Sequence, residues 1–105
     1  MVLTMNVLFI CNQNQNRSKT AERIFKGRFQ TKSAGLYNEK PVNEKQISWA
    51  DIVVVMEDAQ RSELAKRFPK QYMRKRILSL SIPDIYHYGQ PELVKALKSK
   101  VGGLF

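Results

Sequence analysis

The chain has one cysteine, one histidine and one tryptophan among its 105 residues. A single cysteine excludes an internal disulfide, and Cys11 with His87 cannot furnish a structural zinc site. No metal or other cofactor is therefore expected, carboxylates being the only further ligands for a weaker ion. Acidic residues are scarce: nine Asp and Glu stand against eighteen Lys and Arg, a net charge of +9. Such a surface favours acidic partners, whether phosphates, nucleic acid or anionic lipid, without choosing among them. Long apolar runs are missing too. None approaches the roughly 20 residues of a membrane helix, and the start lacks a signal peptide's charged region and cleavage site, so a cytoplasmic protein with no membrane partner is expected. Repeats, low-complexity tracts and linkers are absent, and the length suits one domain, 1–105, with one layered core.

What is present alternates in type. Asn6 to Ile10 (NVLFI) reads as a buried strand ending at Cys11. A helix follows, with Ser18 as its expected N-cap and Ala21, Ile24, Phe25 and Phe29 at helical spacing. A short strand is expected around Thr31 to Ala34, then a short helix around Glu44 to Trp49 capped by Asn43. Asp51 to Met56 (DIVVVM) is a second buried strand, and Glu57 to Phe68 a helix with acidic residues first and basic residues last, which Pro69 ends. Arg76 to Leu80 is the last strand, Ser81 to Gln90 a loop, and Pro91 to Val101 an amphipathic helix with proline suitably placed at its start. This order predicts an α/β fold: one four-stranded parallel sheet with helices on both faces, ligands binding beyond the carboxyl ends of the strands.

At such an end lies CNQNQNRS, Cys11 to Ser18. A loop between a strand's carboxyl end and a helix's N-terminus gathers backbone N–H groups around one spot, where the helix dipole adds positive charge; it suits a tetrahedral oxyanion. Here the loop comprises Asn12, Gln13, Asn14, Gln15 and Asn16, closed by Arg17 and Ser18. Five intervening residues let the chain curl and return the Arg17 guanidinium over the Cys11 sulfur as a bidentate clamp. The same field favours a thiolate, to which Ser18 can donate. Asparagine tolerates the left-handed region, so Asn14 and Asn16 are expected to stand in for glycines, the amides serving as scaffold. The opposing reading is a small core cysteine before an ordinary polar connection. Lys19-Thr20 matches the tail of the nucleotide-binding pattern G-x-x-x-x-G-K-[ST], but both glycines are missing.

The string VLFICNQNQNRSKTAE resembles the N-terminus of the low-molecular-weight protein tyrosine phosphatases, whose signature is C-x5-R-[ST] after the first strand. The resemblance continues through SAG (33–35), WADIVVVME (49–57) and IPDIYHYGQPELVKAL (82–97), and is nearest to a short subgroup of about this length. It implies a cysteine-dependent phosphomonoester hydrolase, a protein tyrosine phosphatase forming a phosphocysteine, with a phosphorylated protein or small phosphoester as partner. Cys11 would be the nucleophile, Arg17 the phosphate clamp, Ser18 the thiolate partner and Asn14 the loop-shaping residue. Asp84 would be the general acid, and Tyr86, with Tyr88, would line the substrate entrance. The family usually has glycine where this chain has Gln13, a second cysteine at Asn16, and proline at Lys19 and Ile85.

Rival readings exist for several of these residues. Asp84 also reads as a turn-former after proline, and His87 as an incidental loop residue. A phosphocysteine carrier shares the cysteine after the first strand but gives no reason for Arg17. An arsenate reductase on this fold needs further cysteines. Six of the eleven residues from Lys66 to Arg76 (KRFPKQYMRKR) are basic, which reads either as a patch for nucleic acid or a phosphorylated partner, or as a solvated helix end and loop. Nucleic acid is not favoured, because the run matches no nucleic-acid-binding module.

Overall fold

The computed structural model describes residues 5–102. Four strands, β1 (Asn6–Cys11), β2 (Gln30–Gly35), β3 (Ile52–Val55) and β4 (Arg76–Ser79), form one all-parallel sheet in the order β2-β1-β3-β4. The helices are α1 (Arg17–Phe25), α2 (Glu44–Trp49), α3 (Asp58–Arg67), α4 (Pro69–Arg74) and α5 (Pro91–Gly102). The expected fold class is thus the observed one.

Both faces of the sheet are covered, and residue parity assigns each side chain its layer. Val7, Phe9 and Cys11 of β1 join Ile52, Val54 and Met56 beneath α1 and α5, where Phe9 stacks on Phe25 with ring centroids 5.8 Å apart. Leu8, Ile10, Val53 and Val55 face the other way, towards Ile47 of α2 and Leu64 of α3. Strands buried on both faces must be apolar at every position, which is why β1 and β3 read as unbroken runs. The helix after β1 covers one face and the helix after β3 the other, so the loops after these adjacent strands diverge and open a crevice between them. Cys11 lies at its floor.

Three local expectations need correction. Ser18 is not an N-cap: α1 starts at Arg17 with Asn16 as its cap residue and no side-chain cap bond, and the Ser18 hydroxyl is engaged elsewhere. Asn16 is right-handed at φ −112°. Pro69 does not stop the helical chain, because the break falls at Phe68 and proline, which needs no N–H donor at a first helical position, opens α4. By contrast α2 starts where expected: Asn43 accepts from the Gln46 N–H, and Gln46 reciprocates on the Asn43 N–H, both at 2.9 Å. In the first turn of α5, the Glu92 backbone N–H and then the Gln90 side chain hold the Glu92 carboxyl below its ordinary value. The lowering acts on an exposed group; whatever it adds to stability is present above the carboxylate range and lost as the pH falls through it.

Candidate active site

Backbone contacts fix the floor of the crevice. The Asn12 carbonyl accepts the N–H groups of Leu36 at 3.0 Å and Tyr37 at 2.9 Å, tying the start of the loop to the end of β2. A Cβ on Gly35 would come within 2.9 Å of that carbonyl, so only glycine permits the approach. On the other flank Gln60, buried in α3, accepts from the N–H groups of Met56 (2.8 Å) and Glu57 (2.9 Å) and donates to the Asn12 side chain at 3.0 Å. One amide thereby joins the end of β3 to the first residue after Cys11.

Above this floor the loop turns through Asn14, at φ 54°. Its amide oxygen accepts the Ser18 hydroxyl at 2.6 Å, and the Ser18 oxygen lies 3.0 Å from Cys11 Sγ. A hydroxyl has one proton, so these contacts depend on the state of the sulfur. With a thiol, S–H donates to Ser18 and Ser18 to Asn14. With a thiolate, the Ser18 proton turns to the sulfur, and the Asn14 amide, turned end for end, donates to Ser18. Asn14→Ala should therefore lower stability by about 1–2 kcal/mol through the left-handed backbone alone and weaken binding of inorganic phosphate, while Asn14→Gly should restore the stability but not the binding. Denaturant unfolding and phosphate titration separate the two effects; phosphate affinity unchanged from the parent in both variants would deny the amide its role.

Arg17 is the largest fully buried side chain, 1% exposed. A buried guanidinium must be compensated. Its Nη1 donates to Glu57 Oε1 at 2.5 Å and to the Ile82 carbonyl at 2.7 Å. Its Nε is buried with no hydrogen-bond partner among the described residues, and Asp84 Oδ1 stands 3.7 Å from it, too far for a hydrogen bond. One edge of the fork is thus fixed by protein, and the Nε donor remains for a ligand. Cys11, Gln13, Gln15, Asn16, Arg17 and Asp84 together line a small cavity of about 40 Å³.

The residues singled out from sequence converge unevenly. Cys11, Arg17, Ser18 and Asp84 meet at the carboxyl ends of β1 and β4. Asn12 and Asn14 brace the loop through their side chains, whereas Gln13 and Gln15 are exposed. Tyr86 is half-buried against the core beneath α1 and α5, and Tyr88 lies 5.1 Å from Arg23. Neither is among the residues that line the cavity. His87 is exposed and closes a turn through its backbone with Gln90. Sequence reasoning missed Glu57, Gln60 and Thr20; a carboxylate and an amide directly after an apolar strand were the only signal for the first two.

The basic stretch is partly structural. Arg67 donates to Glu63 Oε2 and to the Leu36 carbonyl, each at 2.7 Å, and lies 5.1 Å from the Tyr37 ring. Lys75 donates to the carbonyls of Ser48 (3.0 Å) and Ala50 (2.7 Å), satisfying the end of α2. Among the described residues no group of three or more His, Cys, Asp or Glu is placed to hold a metal ion, and no helix is long and apolar enough to cross a membrane.

No family model matches the sequence, and no curated protein matches it. Solved structures do. The tyrosine phosphatase Wzb from Escherichia coli K30, in complex with phosphate, superposes with a TM-score of 0.77 over 97% of this chain and 96% of its own, at 17% identity. A low-molecular-weight protein tyrosine phosphatase from T. tengcongensis gives 0.74 over 94% of each chain at 21% identity. The YwlE arginine phosphatase from Geobacillus stearothermophilus gives 0.73 over 95% of this chain and 92% of its own at 19% identity. At these identities the likeness establishes the fold, which is that of the low-molecular-weight protein tyrosine phosphatases.

Proposed function

We propose that the protein is a phosphomonoester hydrolase of the protein tyrosine phosphatase type, acting on a phosphorylated protein or small phosphoester through a phosphocysteine. The observation that carries this reading is the buried Arg17 Nε, without a hydrogen-bond partner among the described residues, at a cavity lined by Cys11 and Asp84. A charged donor left unpaired in the interior is costly unless something anionic meets it. Phosphoryl transfer asks for in-line attack with the equatorial oxygens held by donors, which the loop N–H groups and Arg17 supply. Cys11 thiolate forms the S–P bond as the P–O bond to the leaving group breaks, and Asp84 gives its proton to the leaving oxygen. Water then forms a new P–O bond while the S–P bond breaks, its proton passing to the Asp84 carboxylate.

The fold's named neighbours include tyrosine and arginine phosphatases, so substrates are best compared in one panel: aryl phosphate, phosphotyrosine, phosphoarginine and phosphoserine peptides. Phosphotyrosine turnover is the expected result. Asp84→Asn should slow phosphotyrosine or alkyl phosphate hydrolysis by about 10²–10⁴-fold, and affect much less an aryl phosphate whose phenol leaves unaided. The pH limb that reports the acid should vanish with it. Equal loss across leaving groups would reject the acid role. Rapid-quench trapping tests the carrier alternative, since a phosphoenzyme that persists for minutes in water is no hydrolase intermediate. A non-catalytic binder would hold phosphate and turn over nothing.

A further inference from the structure

We infer that Thr20 is a positioning residue for Asp84, a role that rests on the phosphatase reading above. Asp84 does little to place itself. Its side chain is 57% exposed, and Arg17 Nε at 3.7 Å is its only ion-pair contact among the described residues. Its location must therefore come from the backbone of its loop, which hydrogen bonds hold at both ends while Tyr86 packs against the core between them. At one end Ile82 donates its N–H to the Met56 carbonyl at 2.8 Å and offers its own carbonyl to Arg17 at 2.7 Å. At the other, the Gly89 N–H donates to the Thr20 hydroxyl at 2.9 Å.

The hydroxyl that receives Gly89 is engaged on its other side as well. Thr20 has no solvent exposure, and its Oγ1 donates to the Asn16 carbonyl at 2.6 Å. A single oxygen thus joins the last residue of the anion loop to the acid-bearing loop, 69 residues away in sequence. The contact is reinforced one turn along α1, where Arg23 lies 5.1 Å from the Tyr88 ring. Gly89 itself sits at φ +70°, where an added Cβ would also crowd Arg23 Nη2 at 3.3 Å. Helix α1 therefore presents Arg17 and Ser18 to the phosphoryl site and, from its next turn, Thr20 and Arg23 to the loop that brings the proton. Their relative position is set within one rigid element.

Proton transfer demands hydrogen-bond reach between Asp84 and the leaving oxygen, and a displacement of about 1 Å can cost on the order of 10²-fold. Thr20→Val keeps the shape and removes the hydroxyl. Its kcat on phosphotyrosine should fall by about 10–10²-fold, with little change on an aryl phosphate whose phenol leaves unaided, and Thr20→Ser should recover most of the loss. In the Thr20→Val/Asp84→Asn pair the phosphotyrosine loss should not exceed that of Asp84→Asn, because both changes remove one function. Gly89→Ala displaces the same loop without touching the anion loop and should show the same leaving-group selectivity; should Thr20→Val not fold, as judged by its melting curve, Gly89→Ala decides by that criterion. Uniform loss across leaving groups, or additive losses in the pair, would overturn the role. If Asp84→Asn shows the leaving-group signature and neither Thr20→Val nor Gly89→Ala does, Thr20 alone is misassigned. If Asp84→Asn lacks it, the acid assignment falls and Thr20's role with it.

Discussion

Cys11→Ser is expected to abolish hydrolysis, lowering kcat by on the order of 10⁴–10⁶-fold, the range seen when a catalytic nucleophile is removed. The substitution exchanges sulfur for oxygen at a site already provided with a hydrogen-bond partner, Ser18 at 3.0 Å, so the variant should fold. Its affinity for inorganic phosphate should stay close to that of the parent, because the loop N–H groups and Arg17 are unchanged. That pairing of outcomes is the informative one. Steady-state hydrolysis beside phosphate titration by calorimetry measures both, and retained turnover would mean that Cys11 is a core residue and the chemistry lies elsewhere.

Arg17→Lys is expected to cost about 10³–10⁵-fold in kcat/KM, the scale of a lost transition-state arginine. The charge survives, but the division of labour does not. In the parent, Nη1 is occupied by Glu57 and the Ile82 carbonyl, while Nε is held apart from them within the same rigid plane. An ammonium is a point charge on a flexible stem and cannot serve both sets of partners from fixed positions. Phosphate affinity should therefore fall together with turnover, unlike in Cys11→Ser, and the melting temperature should drop because a buried carbonyl loses its donor. A lysine variant that binds phosphate normally would show that the loop N–H groups suffice.

These two residues could be read from the sequence because their signal is local. Cys11 and Arg17 belong to one loop between an apolar run and a helical period, and β1 and β3 declare themselves because burial on both faces demands unbroken hydrophobicity. Asn43 marked the start of α2 for the same reason: a capping box is complete within four residues. The start of α1 was displaced because Ser18, a favourable cap by type, is drawn to the sulfur of Cys11 seven residues earlier. Pro69 reads from sequence as ending a helix, whereas proline suits a first helical position equally well, and only the break at Phe68 decides between the two. Glu57 and Gln60 act on partners 40 and 48 residues away, and Thr20 on one 69 away. No spacing pattern encodes such contacts; they exist only once the sheet order is set.

The anion loop contains no glycine between Cys11 and Ser18, and its one left-handed residue is Asn14. The loop that carries Asp84 begins likewise, with Ser81 at φ 55° after β4. Glycine would take either conformation freely, but it would also give the unfolded chain more states to surrender and the folded loop more states to visit. Asparagine exchanges that freedom for a small conformational energy and serine for a larger one, up to about 1–2 kcal/mol. The ordering cost of both loops is thereby met when the chain folds, and phosphate binding, as proposed, should proceed with little further loss of conformational entropy.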